Sequence, residues 1–400
     1  MKNSKKGSVS VFLIFILSAI IGLTAVFIYV SKQKAYTGIC DGALNLAMRS
    51  ILSEFDQGMF DRYGLLGFDK NGMETALEIN DYVDYSFKGR SPLKKTQVSV
   101  GKYSFSNVDV LEKQILEYMK TEGVIESINV SKNDMERFDY QDRTLRNMGV
   151  INTLPSKPFA DGGAGFITRV EQIKNQMQSA ESILSGVSER YLIDSYIMSK
   201  FKYATGGTLQ DTSFFEHEVE YILSGEFSNE KNRKRVEKAL KIVRIALNSA
   251  YLYADKERFS QTLAAAELLT PGAAPATQAI IITSWATAEA ENDLKLLLKG
   301  KSVPLNKTDS SWATSLDNVL NNVSEGMIDT GTDSGLYYSD YMKIFLHFQN
   351  EEIKLARIAD LIQINMKAQY NRDFLIRTCN EGFHLTTQIY GKEYSYETCY

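Results

Sequence analysis

The residues with the clearest chemical potential are Asp329 and Asp333, in Met327-Ile328-Asp329-Thr330-Gly331-Thr332-Asp333. Two apolar residues ahead of Asp-Thr-Gly suit a carboxylate that activates water for peptide hydrolysis. That chemistry needs two carboxylates close enough to share a proton. The second would have to come from a dimer, and the fold would have to be an all-β lobe. Helical patterns flank this stretch on both sides, and Asp, Thr and Gly together favour turns. A plain turn is the expectation, with an anchored extracellular peptidase using Asp329 as the alternative.

Other candidate chemistry is thinner. Gly300-Lys301-Ser302 has the ending of a phosphate-binding loop, but that loop needs Gly at position 295, which is Lys, and a strand before it. Asp161-Gly-Gly-Ala-Gly165 lacks a strand-turn-helix context and reads as a hinge. His217 has no second histidine four residues away to complete a zinc pair, and His347 and His384 also read as structural. No Gly-x-Ser-x-Gly elbow occurs. The run Lys231, Arg233, Lys234, Arg235, Lys238, Lys241, Arg244 wraps more than one helix face and is diluted by Glu230 and Glu237, as on a solvated helix. No catalytic residue, metal or cofactor is expected, nor a nucleic-acid or small-molecule partner; the net charge is −4. Cys379 and Cys399 fall on opposite arms of a C-terminal hairpin pattern. They either form a disulfide or remain two free thiols. Cys40 has no evident partner.

The elements that carry these residues are expected to be mostly helical. The chain has 400 residues but only 6 prolines, and proline interrupts helices. Mean hydropathy is −0.22, the value of a water-soluble chain with one apolar end. Residues 9–30, VSVFLIFILSAIIGLTAVFIYV, carry no charge, and about 20 such residues cross a bilayer as a helix. The apolar run continues past the small residues between Gly22 and Ala25, so an uncleaved single-pass anchor is expected rather than a signal peptide. Lys2, Lys5 and Lys6 precede it, which favours an inside N-terminus and an extracellular bulk. Residues 1–8 form the basic tail. Ala35, Ile39, Ala43, Leu46, Ala47, Ile51 and Phe55 continue at helical spacing, predicting an amphipathic stalk over 31–62 that meets partners through Ile39, Ala43 and Leu46.

The fold class expected is mainly α (α+β). A mixed segment over 63–165 has a short strand pair around Gly101, a helix capped by Asn107 or Asp109, and a loop over 150–165. A heptad run follows in 166–210: Phe166, Val170, Ile173, Met177, Ala180, Leu184, Val187 and Tyr191. Its period of 3.5 suits a coiled-coil or hairpin arm meeting partners through Val170, Ile173, Met177 and Leu184, or equally a packed bundle helix. Residues 211–372 read as a helical core, with helices at 230–254, 275–299, 311–323 and 338–370. Residues 373–400 alternate as a β-hairpin turning at Gly391-Lys392.

Several stretches resemble TadE/TadG-type proteins of tight-adherence (Flp-type) pilus assembly in Gram-positive bacteria. They are Gly7-Ser-Val-Ser-Val-Phe-Leu-Ile-Phe with its apolar helix, Phe60-Asp-Arg-Tyr63-Gly64-Leu-Leu, Lys113–Lys120, Glu220–Gly225, Trp285–Ala290, Leu297–Leu305 and Asp360–Asn365. The resemblance implies a non-enzymatic accessory subunit or minor pilin, with the lipid bilayer and other pilin-like proteins as partners; an extracellular adhesin or binding module unrelated to pili is the further alternative that the anchor, stalk and arm would suit. It also implies a processing site at Gly7-Ser8. The glutamate that pilin precursors carry five residues after the cut is Phe12 here, which favours a stable anchor over a filament subunit.

Overall fold

The computed structural model describes residues 5–125, 153–159, 164–177, 180–184, 188–206, 213–323, 326–331 and 334–400. Along the chain lie α1 (Lys5–Ser53), α2 (Gln57–Tyr63), β1 (Phe68–Asp69), α3 (Gly72–Ser86), β2 (Leu93–Ser99), α4 (Val108–Ile125), α5 (Ala164–Gln176), α6 (Ala180–Leu184), α7 (Glu189–Lys200) and α8 (Glu218–Ser224). Then come α9 (Asn229–Ala254), α10 (Lys256–Leu269), α11 (Ala274–Leu298), α12 (Leu316–Leu320), α13 (Tyr338–His347), α14 (Glu351–Gln369), β3 (Cys379–Asn380), β4 (Gly382–Ile389) and β5 (Lys392–Cys399). The predominance of helix and the small C-terminal sheets match the expected class. The division is less linear than the sequence suggests. One compact unit comprises Met1–Gln57, Leu66–Ser104 and Arg377–Tyr400, and the other comprises Gly58–Leu65 and Phe105–Ile376.

In the first unit, α1 runs unbroken for 49 residues, about 74 Å at 1.5 Å per residue. Its apolar residues from Val9 to Val30 are all exposed, and it is long and apolar enough to cross a membrane. Beyond them, Cys40, Leu44, Ala47, Met48 and Ile51 are buried against Phe68, Ile79, Val83, Phe383, Leu385 and Ile389. This stripe is displaced from the expected one: Ile39 and Leu46 are 59% and 68% exposed, and Ala43 is half-buried at the stripe's edge. Each residue turns the helix by about 100°, so moving the stripe by one position re-aims it. The small residues here left its direction open. The stalk also ends at Ser53, with α2 a separate helix, rather than continuing to 62.

The three-stranded antiparallel sheet has the order β2-β4-β5. The expected hairpin is present. Ile389 pairs with Lys392, and Tyr390 and Gly391 both take positive φ, 52° and 81°. That is the two-residue turn whose twist matches a right-handed strand pair. The expected strand pair around Gly101 is absent: β2 ends at Ser99, a 3₁₀ turn covers Gly101–Tyr103, and β2's partner is β4. A bulge interrupts that pairing between Lys94 and Gln97, with Lys95 at φ 54°. The bulge shifts the parity of alternation, so Lys94 and Lys95 both lie outside while Thr96 and Val98 turn inward. Helix α3 closes the core under an Asn71–Glu74 capping box.

The second unit is helical. Ser228 caps α9, Pro275 sits in the first turn of α11, and both helices fall within a residue of their expected bounds. The helix expected over 311–323 shrinks to α12. The one expected over 338–370 is two, because Asn350 caps α14 by accepting from the Ile353 N–H at 3.0 Å. From Lys354 to Met366 every residue of α14 is buried. Such a helix is a core spine rather than an amphipathic lid, and its polar side chains must find partners inside the protein.

The heptad run is not a continuous arm, for it divides among α5, α6 and α7. Phe166, Val170, Ile173, Met177 and Ala180 are buried, and the Phe166 and Phe345 rings meet edge to face at 5.8 Å. Leu184 is half-buried, and Val187 lies outside the described residues. Val170, Ile173 and Met177 are therefore core positions, corrected from partner contacts.

Candidate functional site

The residues singled out for chemistry do not converge. Asp329 forms an ion pair with Lys301, and its Oδ1 accepts from the Gly331 N–H at 3.0 Å. Ile328 is held through both backbone groups by Asn292, at 2.8 and 2.9 Å. The hydrogen bond from Lys301 holds the Asp329 carboxyl below the ordinary aspartate range. This is a pinned turn. Asp333 opens an Asp-Ser-Gly triplet, so the chain itself carries a second such motif and the requirement for a dimer is corrected; Asp333 lies outside the described residues, as does most of Asp161–Gly165.

Gly300-Lys301 is the C-terminal cap of α11, not a phosphate loop. Gly300 sits at φ 75°, the Lys301 N–H donates to the Leu296 carbonyl, and the Gly300 N–H to Leu297. These bonds make a Schellman motif. Five of the seven residues in the basic run are in ion pairs: Arg233–Glu237, Lys234–Glu230, Arg235–Glu226, Lys241–Glu291 and Arg244–Asp293. His384 meets the Ser395 hydroxyl at 2.7 Å, beside a shallow hollow of about 470 Å³ lined by Gly72, Met73, Thr96, Val98 and Thr386. Among the described residues no cluster of His, Cys, Asp or Glu could hold a metal.

Of the two alternatives for Cys379 and Cys399, the structure holds the free thiols. Cys379 pairs across the strands with Asp69, and Cys399 lies opposite Gly382. Both thiols are free, Cys379 buried and Cys399 exposed. Sequence spacing placed them on one hairpin, but Cys379 belongs to the other small sheet. Gly7 and Ser8 lie within the backbone of α1.

What converges instead is a set of buried ionic groups in the second unit. Arg244, with no exposed surface, donates to Asp293 at 2.9 Å, to the Pro304 carbonyl at 3.0 Å and to the Tyr341 hydroxyl at 3.1 Å. Lys307 bridges Glu289 and Asp293 at 2.6 and 2.7 Å. Glu289 accepts in turn from the backbone N–H groups of Ala313 and Thr314. Burial pushes the Asp293 carboxyl up, but Arg244 and Lys307 outweigh it and hold the group below the usual range.

Three further acids sit around α8 and α14. Glu218 accepts from Asn365 at 2.6 Å and lies 4.0 Å from Arg62. Glu220 accepts from the Tyr338 hydroxyl at 2.7 Å and from the Ala204 N–H at 2.9 Å. Asp360 accepts from the Tyr221 hydroxyl at 2.7 Å and from the Ser156 N–H at 3.0 Å. Burial raises all three carboxyls, and their mostly neutral donors do not offset it.

A family model described as a family of unknown function (DUF5702) matches residues 152–391. The chain belongs to the DUF5702 family. No curated protein and no solved structure matches it. The matched span includes α8, α9, α11 and α14, and with them Glu220, Arg244, Glu289, Asp293, Lys307 and Asp360. Helix α1 lies outside the DUF5702 span.

Several of the stretches quoted for the pilus-protein resemblance also meet here, since Glu220, Glu289, Asp360 and Asn365 are members of the buried networks. Each ties together segments far apart in sequence, as Glu289 ties α11 to Ala313 and Thr314. Sequence reading missed Arg244 and Lys307 as partners because their carboxylates lie 49 and 14 residues away along the chain.

Proposed function

We propose that this DUF5702 chain is a non-enzymatic, membrane-anchored structural component of a surface apparatus for pilus assembly or adhesion, an accessory subunit or minor pilin of TadE/TadG type. The observation that carries this reading is α1. Its exposed apolar half and its packed half are one uninterrupted helix, so a load on the first unit passes to the bilayer without a flexible joint. The N-terminus stays inside, behind its lysines, and the folded bulk is extracellular. Ile39 and Leu46 remain exposed on the stalk and offer a seam for a pilin-like partner.

The test is genetic. Deletion should abolish pili or adherence, and complementation with either the native gene or Asp329→Asn should restore them. A deletion strain that is piliated and adherent as normal overturns the role. Activity that is lost in Asp329→Asn supports the peptidase alternative instead. N-terminal sequencing of the membrane-bound protein reads whether the bond between Gly7 and Ser8 is cut.

A further inference from the structure

We infer that the membrane-proximal end of the first unit is a lipid-binding collar that rests on anionic phospholipid headgroups. This rests on the reading of α1 as an anchor. Strand β5 runs alongside α1 in the same direction. The Tyr36 and Tyr390 rings meet at 6.3 Å, the Tyr396 hydroxyl donates to Asp41, and the Tyr400 hydroxyl donates to the Leu52 carbonyl. The hairpin tip at Tyr390-Gly391 is therefore the end of the unit nearest the apolar half of the helix. Tyr36 lies six residues after Val30, about 9 Å along the axis, which is just past a headgroup layer of roughly 5–7.5 Å and within one screening length of it.

The charge at this end is one-sided. Leu93 pairs with Ile389, so the turn before β2 lies at the same end as the hairpin tip. That turn carries exposed Lys88 and Arg90, the bulge turns Lys94 and Lys95 outward, and the tip carries exposed Lys392. Lys32 and Lys34 stand on the helix below. The acids at this end are Asp84, whose Oδ1 is engaged by the Ser91 N–H at 3.2 Å, Glu393, and exposed Asp81, which follows the Asn80 that Thr96 holds at 2.7 Å, three acids against seven basic residues. Two of the lysines lie over tyrosine rings, Lys32 over Tyr36 at 5.9 Å and Lys392 over Tyr394 at 5.5 Å. Tyrosine beside lysine at such a depth matches an interface that is apolar on one side and anionic on the other.

The turn itself supplies a second, independent observation. Tyr390 holds φ 52° in a position that Asn, Asp or Gly fill with less strain, and the residue is 53% exposed. A bulky aromatic kept at a strained, exposed tip points to a surface that it enters.

The experiment uses the full chain carrying Tyr390→Trp, in lipid discs of phosphatidylcholine or of phosphatidylcholine with about one-third phosphatidylglycerol. Both disc types contain a headgroup-nitroxide lipid, and the fluorescence of the unsubstituted chain is subtracted. Quenching at residue 390 should be at least twofold stronger with the anionic lipid. It should fall to the zwitterionic level in high salt and in the Lys88→Gln, Arg90→Gln, Lys392→Gln variant. Equal quenching in both disc types overturns the collar while leaving the anchor intact. A full chain that does not enter the discs overturns the anchor and the collar together.

Discussion

Arg244 and Asp293 meet at 2.9 Å with neither side chain exposed, and Lys307 reaches the second Asp293 oxygen at 2.7 Å. Two cations thus share one buried carboxylate. Removing a partner from a buried pair costs about 3–5 kcal/mol, because the remaining charge stays buried without compensation. Asp293→Ala strands the guanidinium, whereas Arg244→Met leaves Asp293 its lysine and should cost less. Urea unfolding of the full chain, followed by Trp285 and Trp312 fluorescence, reads the difference in the unit that holds the pair. A cost under about 1 kcal/mol for Asp293→Ala would sink the account.

The same carboxylate sets an acid limit. Asp293 is held below its unfolded value near 3.9, so its contribution is complete above that pH and is lost as pH falls through the folded value. The midpoint of thermal unfolding should therefore drop steeply below about pH 4. In Asp293→Asn that acid-side drop should shrink.

Glu220 has the opposite sign. Burial raises its carboxyl, so the folded state holds the proton more tightly, and stability from this group is present below the unfolded value near 4.3 and lost as pH rises through the folded one. Its Oε2 finds no hydrogen-bond partner among the described residues. Glu220→Gln imitates the protonated form and keeps an acceptor for Tyr338 and Ala204. At pH 8 this variant should be as stable as the native chain or more so, by about 1 kcal/mol. At pH 4 the two should converge. A variant that is clearly weaker at pH 8 would show that the ionised carboxylate is needed.

How much of this was legible in the sequence depends on range. Helices α9 and α11 were legible because Ser228, Pro275 and an apolar period mark them locally, and the hairpin because alternation brackets Gly391. The direction of the stalk's buried face was not, because Cys40, Ala43 and Ala47 differ little from their neighbours in apolar character. Nor was the β2–β4 pairing, whose partners Val98 and Leu385 are nearly 300 residues apart. The heptads Phe166 to Ala180 were read correctly as an apolar stripe, but period alone does not say whether its cover comes from the same chain. The site fared worse than the fold: a local motif drew attention to Asp329, while the buried charges are defined only by contacts across the chain.

Cys379 and Cys399 yield the last prediction. Burial raises the Cys379 thiol well above its ordinary value, and Asp69 and Asp56 add to the shift, so little reactive thiolate forms there. Cys40 is also buried and raised by burial, whereas Cys399 is exposed at the end of β5. A maleimide added to the native protein should therefore modify Cys399 first, with Cys379 and Cys40 slower by on the order of a hundredfold, a rate set by local opening. Peptide mass mapping identifies the labelled residue, and denaturant should equalise the three. A native chain that resists labelling at Cys399, with intact mass lower by two hydrogens than after reduction, would mean that the two strand ends rearrange to bring these thiols together.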